Sequence, residues 1–363
     1  MVRDLHVPRT ALLAVGLAVL LVAAGCTGMP GGSSADATTT NAKLDSVPAS
    51  AEYVAYVDVA GMRTDTDLRS VTNTTLAEVD LGPSAPSDVS SMLDDFEDAT
   101  DINPRKIQNM TMFTASTATT QPGTSSGAAV LSTTYDESGM VNAIESSTDT
   151  TLNEGTYGNV TVYSDDSLGG FDNVLAALGD GEFVVGDRDS VESMLDVRSG
   201  DADHLEGDLR SAFEGVNGGS YVQYALSAPN GSDSLLGYER VAENAPVNLS
   251  AVSGIEYTAV SFGTDDGDIT STEHVIADSE GSAERAYDLI DGTRSLYASV
   301  SPEELRPSFE AGSIEQDGNT VIVTYAESAD TIESRIEAAF GTNETADNTT
   351  TLDNSSAASV ARP

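Results

Sequence analysis

The pattern of apolar and polar residues divides the chain into short strands and amphipathic helices. Val- and Tyr-rich runs with a period of two predict strands, and apolar residues three and four positions apart predict helices. The predicted strands are Tyr53–Val59, Ile107–Phe113, Ala128–Leu131, Asn159–Tyr163, Val174–Leu178, Glu182–Val185, Ser220–Leu226, Ile255–Phe262, Ile269–Ile276, Gly312–Gln316 and Thr320–Tyr325. The predicted helices are Asp88–Asp98, Gly139–Ser146, Ser190–Val197, Ser234–Ala242, Ser282–Ile290 and Asp330–Phe340.

The second part of this pattern repeats the order of the first. The run S-Y-V-Q-Y-A-L at 220–226 is similar to E-Y-V-A-Y-V at 52–57, so that Val54 and Val222 correspond and their separation gives the length of the repeat. Each half is predicted as strand, helix, two strands, helix, hairpin, helix. An internal duplication is the simplest account, and chance similarity among short amphipathic elements is the alternative. We predict an α+β fold of two similar halves, each a mainly antiparallel sheet with helices packed on one face.

Changes in composition give the predicted boundaries. Residues 26–43 are rich in Gly, Ser and Thr without periodicity, as in a flexible tether. Residues 342–363 are rich in Thr, Asn, Ser and Asp, which favours a disordered tail. The two halves are therefore placed at 44–217 and 218–341, and residues 1–25 are assigned to a signal peptide. Whether the two halves share one sheet is left open by the sequence.

The assignment of the signal peptide depends on the start of the chain, up to Cys26. Arg3 and Arg9 precede an uncharged apolar run, Ala11–Ala24. A positive start, a short apolar run and small residues before a cleavage point are typical of a secretory signal. A membrane-spanning helix needs about 20 apolar residues, so this run is too short to span comfortably. The two arginines are not adjacent, which favours the general secretory route over the twin-arginine one.

The only cysteine of the chain, Cys26, follows this run in the sequence A-A-G-C. The motif resembles the lipobox of bacterial and archaeal lipoproteins, although Ala23 stands where leucine is usual. The resemblance implies cleavage before Cys26 and lipidation of its thiol, which would bind the protein to the lipid membrane on the extracellular face of the cell. An ordinary signal peptide followed by an accidental cysteine is the alternative. A lone cysteine also excludes internal disulfides.

The charge of the chain changes the expected environment. The formal net charge is −43, with 2 lysines against 14 arginines. Removing residues 1–25 removes two arginines and one aspartate, so the mature chain carries −44. This composition resembles that of haloarchaeal proteins, which work in concentrated salt. An acidic disordered protein is the alternative, but 39% hydrophobic residues in periodic segments argue against it. Nucleic acid is not expected as a partner, because no basic patch neutralises phosphate.

Two longer stretches resemble a family of uncharacterised secreted bacterial proteins. The first is A-L-G-D-G-E-F-V-V-G-D-R-D-S-V-E-S-M-L-D at 177–196, followed by D-H-L-E-G-D-L-R-S-A-F at 203–213 and S-Y-V-Q-Y-A-L. The second is V-P-A-S-A-E-Y-V at 47–54. The resemblance implies a duplicated, exported α+β domain with a hairpin and helix, a further helix and a returning strand. It supplies no catalytic residue.

Candidate chemistry is sparse. His6, His204 and His274 have no zinc-ligand spacing, and no nucleophile motif or phosphate loop occurs. Three Asp-rich turns could hold Ca²⁺ through clustered carboxylates; they are Asp65-x-Asp67, Asp201-x-Asp203 and Asp265-Asp266-Gly267-Asp268. None completes a calcium loop ending in Glu, and solvated carboxylates are the simpler explanation. We therefore predict no catalytic residue, cofactor or metal site.

The Asn-x-Ser/Thr sequons of an exported protein are candidate glycosylation sites. Of those present, the preferred candidates are the three in the tail, Asn343, Asn348 and Asn354.

These observations favour a non-enzymatic, lipid-anchored binding or envelope module over an enzyme. The alternatives are a solute-binding lipoprotein of a transporter and a hydrolase with an unrecognised site. A deep pocket with convergent polar groups would favour the transporter role, and a perturbed acid–base pair in a cleft would favour the hydrolase. The ligand or protein partner and the oligomeric state are not predicted.

Overall fold

The structure is a computed structural model that describes residues 44–78, 85–114, 127–148, 150–165, 173–216, 221–228, 254–301, 303 and 306–340. Some of the predictions from the sequence lie outside these residues. They are the signal peptide, Cys26, the tether, the helix at Ser234–Ala242, the tail and its three sequons.

The described residues form twelve strands and nine α-helices. The strands are β1 Tyr53–Val57, β2 Ile107–Thr114, β3 Gly127–Thr133, β4 Asn153–Tyr157, β5 Val160–Ser164, β6 Asn173–Gly179, β7 Glu182–Asp187, β8 Val222–Ser227, β9 Ile255–Asp265, β10 Asp268–Ala277, β11 Ser313–Asp317 and β12 Thr320–Ser328. The helices are α1 Val59–Thr64, α2 Thr66–Glu78, α3 Val89–Thr100, α4 Glu137–Thr148, α5 Arg188–Ser199, α6 Gly207–Gly215, α7 Glu280–Val300, α8 Arg306–Glu310 and α9 Ala329–Phe340.

All twelve strands belong to one antiparallel sheet, in the order β11-β12-β10-β9-β8-β1-β2-β3-β7-β6-β5-β4. Strands β1 and β8 pair at its centre, with Val54 opposite Ala225. From this centre the first half runs outward as β1-β2-β3-β7-β6 and the second as β8-β9-β10-β12-β11. The first half then adds the hairpin β4–β5. The predicted α+β class with a mainly antiparallel sheet is confirmed, and the two halves share a single sheet.

Local sequence explains where the hairpins turn and the helices begin. Asp180-Gly181 and Asp266-Gly267 have positive φ at both positions, the backbone that two-residue hairpins require. Asp187 accepts a hydrogen bond from the Ser190 amide at 3.0 Å and so caps α5. The helix therefore begins at Arg188 and not at the predicted Ser190, because the carboxylate of Asp187 satisfies its first turn.

Other elements differ in length from the predictions or were not predicted. Strand β1 ends at Val57 instead of Val59, because Asp58 accepts a hydrogen bond from the Gly61 amide at 2.8 Å and starts α1. Helix α7 continues to Val300, well beyond its predicted end at Ile290. Periodicity did not predict helices α1, α2 and α8, and it did not predict the edge strand β4. Helix α6 was expected only from the family resemblance.

The two faces of the sheet are covered by different helices. Face A, on which Val54, Phe113 and Ala225 lie, is covered by α5 and α6, whose Met194 and Phe213 join the same apolar cluster. Face B is the opposite face, on which Ala55, Met112 and Tyr224 lie. Helices α1, α2, α4, α7 and α9 pack on face B.

The helices that end the two halves lie on opposite faces. Helix α5 follows β7 and packs on face A, while α9 follows the corresponding strand β12 and packs on face B against Ile269. The strands of the first half are apolar on both faces: Val184 faces α5 and Phe183 faces α4. In the second half, Thr272 and His274 on face A are half-buried and polar, so that face does not require a helix there.

Candidate binding cleft

A row of half-buried side chains crosses face B at the centre of the sheet. Strand register aligns Met112, Ala55, Tyr224, Val260, Glu273 and Val323 on five interstrand pairings. All except Ala55 keep part of their surface accessible. On face A of the same strands, Val54, Ala225 and Ala259 are each 0% exposed. The two faces therefore differ sharply at this level of the sheet.

The row is accessible because it lies between two groups of helices. Toward one end of β9 and β10, Phe262 and Ile269 pack with Val71 of α2 and Ile332 of α9. Toward the other end of β10, Val275 packs with α7. Val260 and Glu273 lie between these contacts. We call the row together with Tyr53 the cleft: Tyr53, Ala55, Met112, Tyr224, Val260, Glu273 and Val323.

Glu273 is the charged residue of the cleft. It lies on β10 between Val260 of β9 and Val323 of β12, so its immediate cross-strand neighbours are apolar. Burial raises the pKa of its carboxyl above the ordinary value. Among the described residues, the structure contains no hydrogen bond or ion pair to this carboxylate. A cation or a proton that reaches such a group stabilises it.

Two tyrosines lie on the same face as this carboxylate, Tyr224 two strands away and Tyr53 three strands away. The rings of Tyr53 and Tyr224 are 6.3 Å apart between centroids, with a tilt of 35°. Burial raises the pKa of Tyr53 to about 12. Burial also raises the pKa of Tyr224, and the electrostatic effects of Glu273 and then of Tyr53 add to it. Because the pKa of each tyrosine is raised, both hydroxyls remain protonated near neutral pH.

A second polar cluster on face B is satisfied internally. Glu327 forms an ion pair with Arg335 of α9, and Tyr325 donates a hydrogen bond to its Oε2 at 2.5 Å. Ser308 of α8 accepts a hydrogen bond from Arg335 at 2.7 Å and donates to Glu327 at 3.3 Å. Burial, followed by this hydrogen bond to Glu327, raises the pKa of Tyr325. The cluster binds α8 and α9 to β12, which is a structural task.

Asp65, from the first of the predicted Asp-rich turns, also has internal partners. Its Oδ2 accepts hydrogen bonds from Tyr221 and Thr264, both at 2.7 Å, and its Oδ1 accepts one from the Leu68 amide at 2.7 Å. Burial alone would raise the pKa of Asp65, but the hydrogen bonds, led by that from Thr264, lower it below its ordinary value. The carboxylate thus joins α2 to β9 across the two halves.

The remaining residues singled out in the sequence do not converge. His204 forms an isolated bridge with Pro48, and its Nε2 lies 3.4 Å from Glu206. His274 lies on β10, where burial lowers its pKa, but strand alternation directs it to face A, away from Glu273. Across the described part of the chain, no three His, Cys, Asp or Glu side chains form a potential metal site.

Glu273 was not predicted as a site residue. In the strand I-T-S-T-E-H-V-I at 269–276, the only candidate for chemistry was His274. The available signal was the period of two: Glu273 shares its face with Ile269 and Val275, so a charge occupies a position where apolar residues are expected.

Comparisons with known proteins give only distant similarity. No protein family model and no curated protein matches the sequence. The structure is similar to that of TP0453, a Treponema protein. Crystal form III gives a TM-score of 0.45 at 13% identity, covering 81% of this chain and 97% of that one. Crystal form I gives 0.43 at 13% identity, covering 82% and 97%. The fold class therefore rests on the strand pairing of this chain itself. Within the described ranges, no helix is both long and apolar enough to cross a bilayer.

Proposed function

We propose that this protein is an exported lipoprotein, held at the extracellular face of the cell membrane through Cys26, that acts by binding and not by catalysis. The observation that supports the anchor is the order of three features at the start of the chain: two arginines, an uncharged apolar run and A-A-G-C. The net charge of −43 supports a haloarchaeal, high-salt setting for the exported domain. Asn343, Asn348 and Asn354 stay the preferred candidates for glycosylation.

The cleft supports the binding role. Glu273 is half-buried with no described partner, and Tyr53 and Tyr224 lie together on the same face of the sheet. A convergence of aromatic rings with one polar group on an accessible face is typical of sites for small ligands. The same cleft favours a second candidate role, that of a solute-binding lipoprotein working beside a transporter. Isolation of a membrane complex that contains a permease would favour this second role.

The anchor is tested by the mature N-terminus. We expect mass spectrometry of the membrane-extracted protein to show a chain that begins at Cys26 and carries a lipid. A Cys26→Ser variant should leave the membrane fraction, since a thioether-linked lipid cannot form on serine. Substitution of Thr27 by Ser provides a control that leaves the thiol intact. A mature chain that retains Met1, or a Cys26→Ser variant that stays with the membranes, would contradict the proposal.

A further inference from the structure

We propose that the cleft on face B binds a small organic cation of the alkylammonium type, with Glu273 as the counter-charge and Tyr53 and Tyr224 as the aromatic contacts. This inference rests on the proposed binding role and specifies its ligand. It does not depend on the anchor at Cys26.

Charge complementarity is the first argument. A partly buried carboxylate without an opposite charge is costly, and its natural partner is a cation. Three arginines of the helices that border the cleft have other partners: Arg335 binds Glu327, Arg294 binds Asp291 and the Gly312 carbonyl, and Arg285 binds the Gly281 carbonyl and Ser282. Arg69 of α2 is exposed to solvent. The cation is therefore expected from solution.

The aromatic side chains define the kind of cation. An ammonium group within about 6 Å of a tyrosine ring centroid is attracted by the π-face, and this contact strengthens when water is excluded. The two rings stand 6.3 Å apart at a 35° tilt, so one ammonium group can contact both. Met112, Val260 and Val323 add apolar surface to the same floor. An alkylated nitrogen matches this mixture better than a hydrated inorganic ion.

The donor set argues against a metal ion. Ca²⁺ takes six to eight oxygen ligands, whereas the described residues of the cleft offer one carboxylate and two protonated phenols. Transition metals prefer imidazole or thiolate, and the nearest imidazole, that of His274, lies on the opposite face. A single negative charge in an aromatic setting is suited to a monovalent organic cation.

The spacing limits the size of the ligand. Tyr224 and Glu273 are separated by one strand, β9, which corresponds to about 10 Å between their backbones at the usual interstrand distance. Both side chains lie on face B, with Val260 between them in the register. This spacing suits a head of a few carbon atoms, so we commit to a soluble alkylammonium solute and not to the headgroup of a lipid in a bilayer.

The test uses the full-length chain with Cys26→Ser, so that membrane attachment plays no part. Tetramethylammonium and butylammonium are titrated by calorimetry in about 3 M KCl, where charge repulsion is screened, with neopentyl alcohol as the uncharged control. We expect saturable binding of the ammonium probes, a rise in melting temperature with their concentration, and no binding of the alcohol. Binding of the alcohol with equal affinity would overturn the role of the charge.

Two variants test the assigned residues. Glu273→Gln keeps the shape of the side chain and should raise the Kd about tenfold or more, because the loss of one charge contact of about 1.4 kcal/mol is a factor of ten. Tyr224→Leu should also weaken binding. Glu256→Gln, on the same sheet but exposed, is the matched control and should leave the Kd unchanged. Since neutralising a desolvated carboxylate favours folding, Glu273→Gln should melt no lower than its parent.

Each contrary result has a distinct meaning. Equal binding by the Glu273→Gln variant, or no saturable heat with either probe in a protein that melts cooperatively, would overturn the cation site. Binding to phosphatidylcholine vesicles without binding to soluble ammonium ions would replace it with a lipid surface. In none of these cases is the assignment of Cys26 as the anchor affected, because that assignment is tested by fractionation and mass spectrometry.

Discussion

At the scale of single residues, the acidic side chains of this chain divide into two groups. Most of the carboxylates lie on the surface, where they interact with water. Asp65 is different, because Tyr221, Thr264 and the Leu68 amide all donate hydrogen bonds to it. Hydrogen bonds to a charged acceptor contribute more than those between neutral groups. Asp65, one of many acidic residues in this chain, thus forms a specific contact between the two halves.

The contact predicts a pH-dependent contribution to stability. The pKa of Asp65 is lowered in the folded protein, so its contribution is present above the ordinary Asp pKa of about 4 and is lost as the pH falls through the lower folded value. We expect Asp65→Asn to reduce the free energy of unfolding by about 1–3 kcal/mol near neutral pH, and to flatten the acid side of the pH–stability curve. Urea unfolding at a series of pH values measures both. Asp203→Asn, which is exposed, should change neither, and an equal effect of the two variants would contradict the assignment.

At the scale of elements, the last described helices, α8 and α9, depend on one ion pair. Helix α9 is amphipathic and buries Ile332 and Ile336, but its polar side also contacts the sheet through Arg335 and Glu327. The side chain of Glu327 is only 8% exposed, so the carboxylate depends on its partner. Helix α8 joins the same cluster through Ser308. The ion pair and the hydrogen bonds of Ser308 therefore join α8, α9 and β12.

Removal of one partner should be far more damaging than removal of both. Arg335→Met leaves Glu327 buried without a counter-charge, and we expect a loss of about 3–5 kcal/mol. Adding Glu327→Gln to that variant should restore most of the loss, because the uncompensated charge disappears. Arg198→Met, which breaks the more exposed pair with Glu182, should cost about 0–1 kcal/mol. Urea denaturation of the four proteins checks the order, and similar costs for Arg335→Met and Arg198→Met would refute it.

At the scale of the whole molecule, net charge is the dominant long-range force. A charge of −43 on 363 residues destabilises the compact state through self-repulsion. Long-range repulsion acts over about 10 Å at 0.1 M salt and about 3 Å at 1 M. The repulsion acts on both halves together, because β1 and β8 join them in a single sheet of twelve strands.

We therefore expect the melting temperature to rise steeply as KCl increases from about 0.1 to 1 M and then to level off, since screening is nearly complete once the Debye length is about 3 Å. Circular dichroism of the Cys26→Ser chain measures this, and dialysis to millimolar salt should unfold it. Stabilisation by salt exclusion from the protein surface would continue to increase with concentration. A melting temperature that does not change between 0.1 and 3 M would refute the high-salt interpretation.

The sequence by itself determined the local features of this protein. The alternation in Ile255–Phe262 and Ile269–Ile276 predicts two strands, and Asp266-Gly267 lies in the turn between them, because side-chain period and turn chemistry are properties of a few neighbouring residues. Helices such as Asp330–Phe340 were predicted for the same reason. Helices α1 and α2 were missed, because their apolar positions are few and their burial depends on distant elements. Helix α1 packs against β2, and α2 packs against β10 and α9.

Only the tertiary structure decided how these elements combine. Pairing of β1 with β8 makes one sheet from two halves, and it depends on contacts between residues that lie far apart in the chain, such as Val54 and Ala225. The face on which the helix after each final hairpin packs depends on which face of the strands is already covered. Helix α4 occupies face B of β6 and β7, so α5 packs on face A. The cleft likewise arises from the gap between α2, α9 and α7. Glu273 is significant only because strand register places it in that gap, on the same face as tyrosines from two other strands.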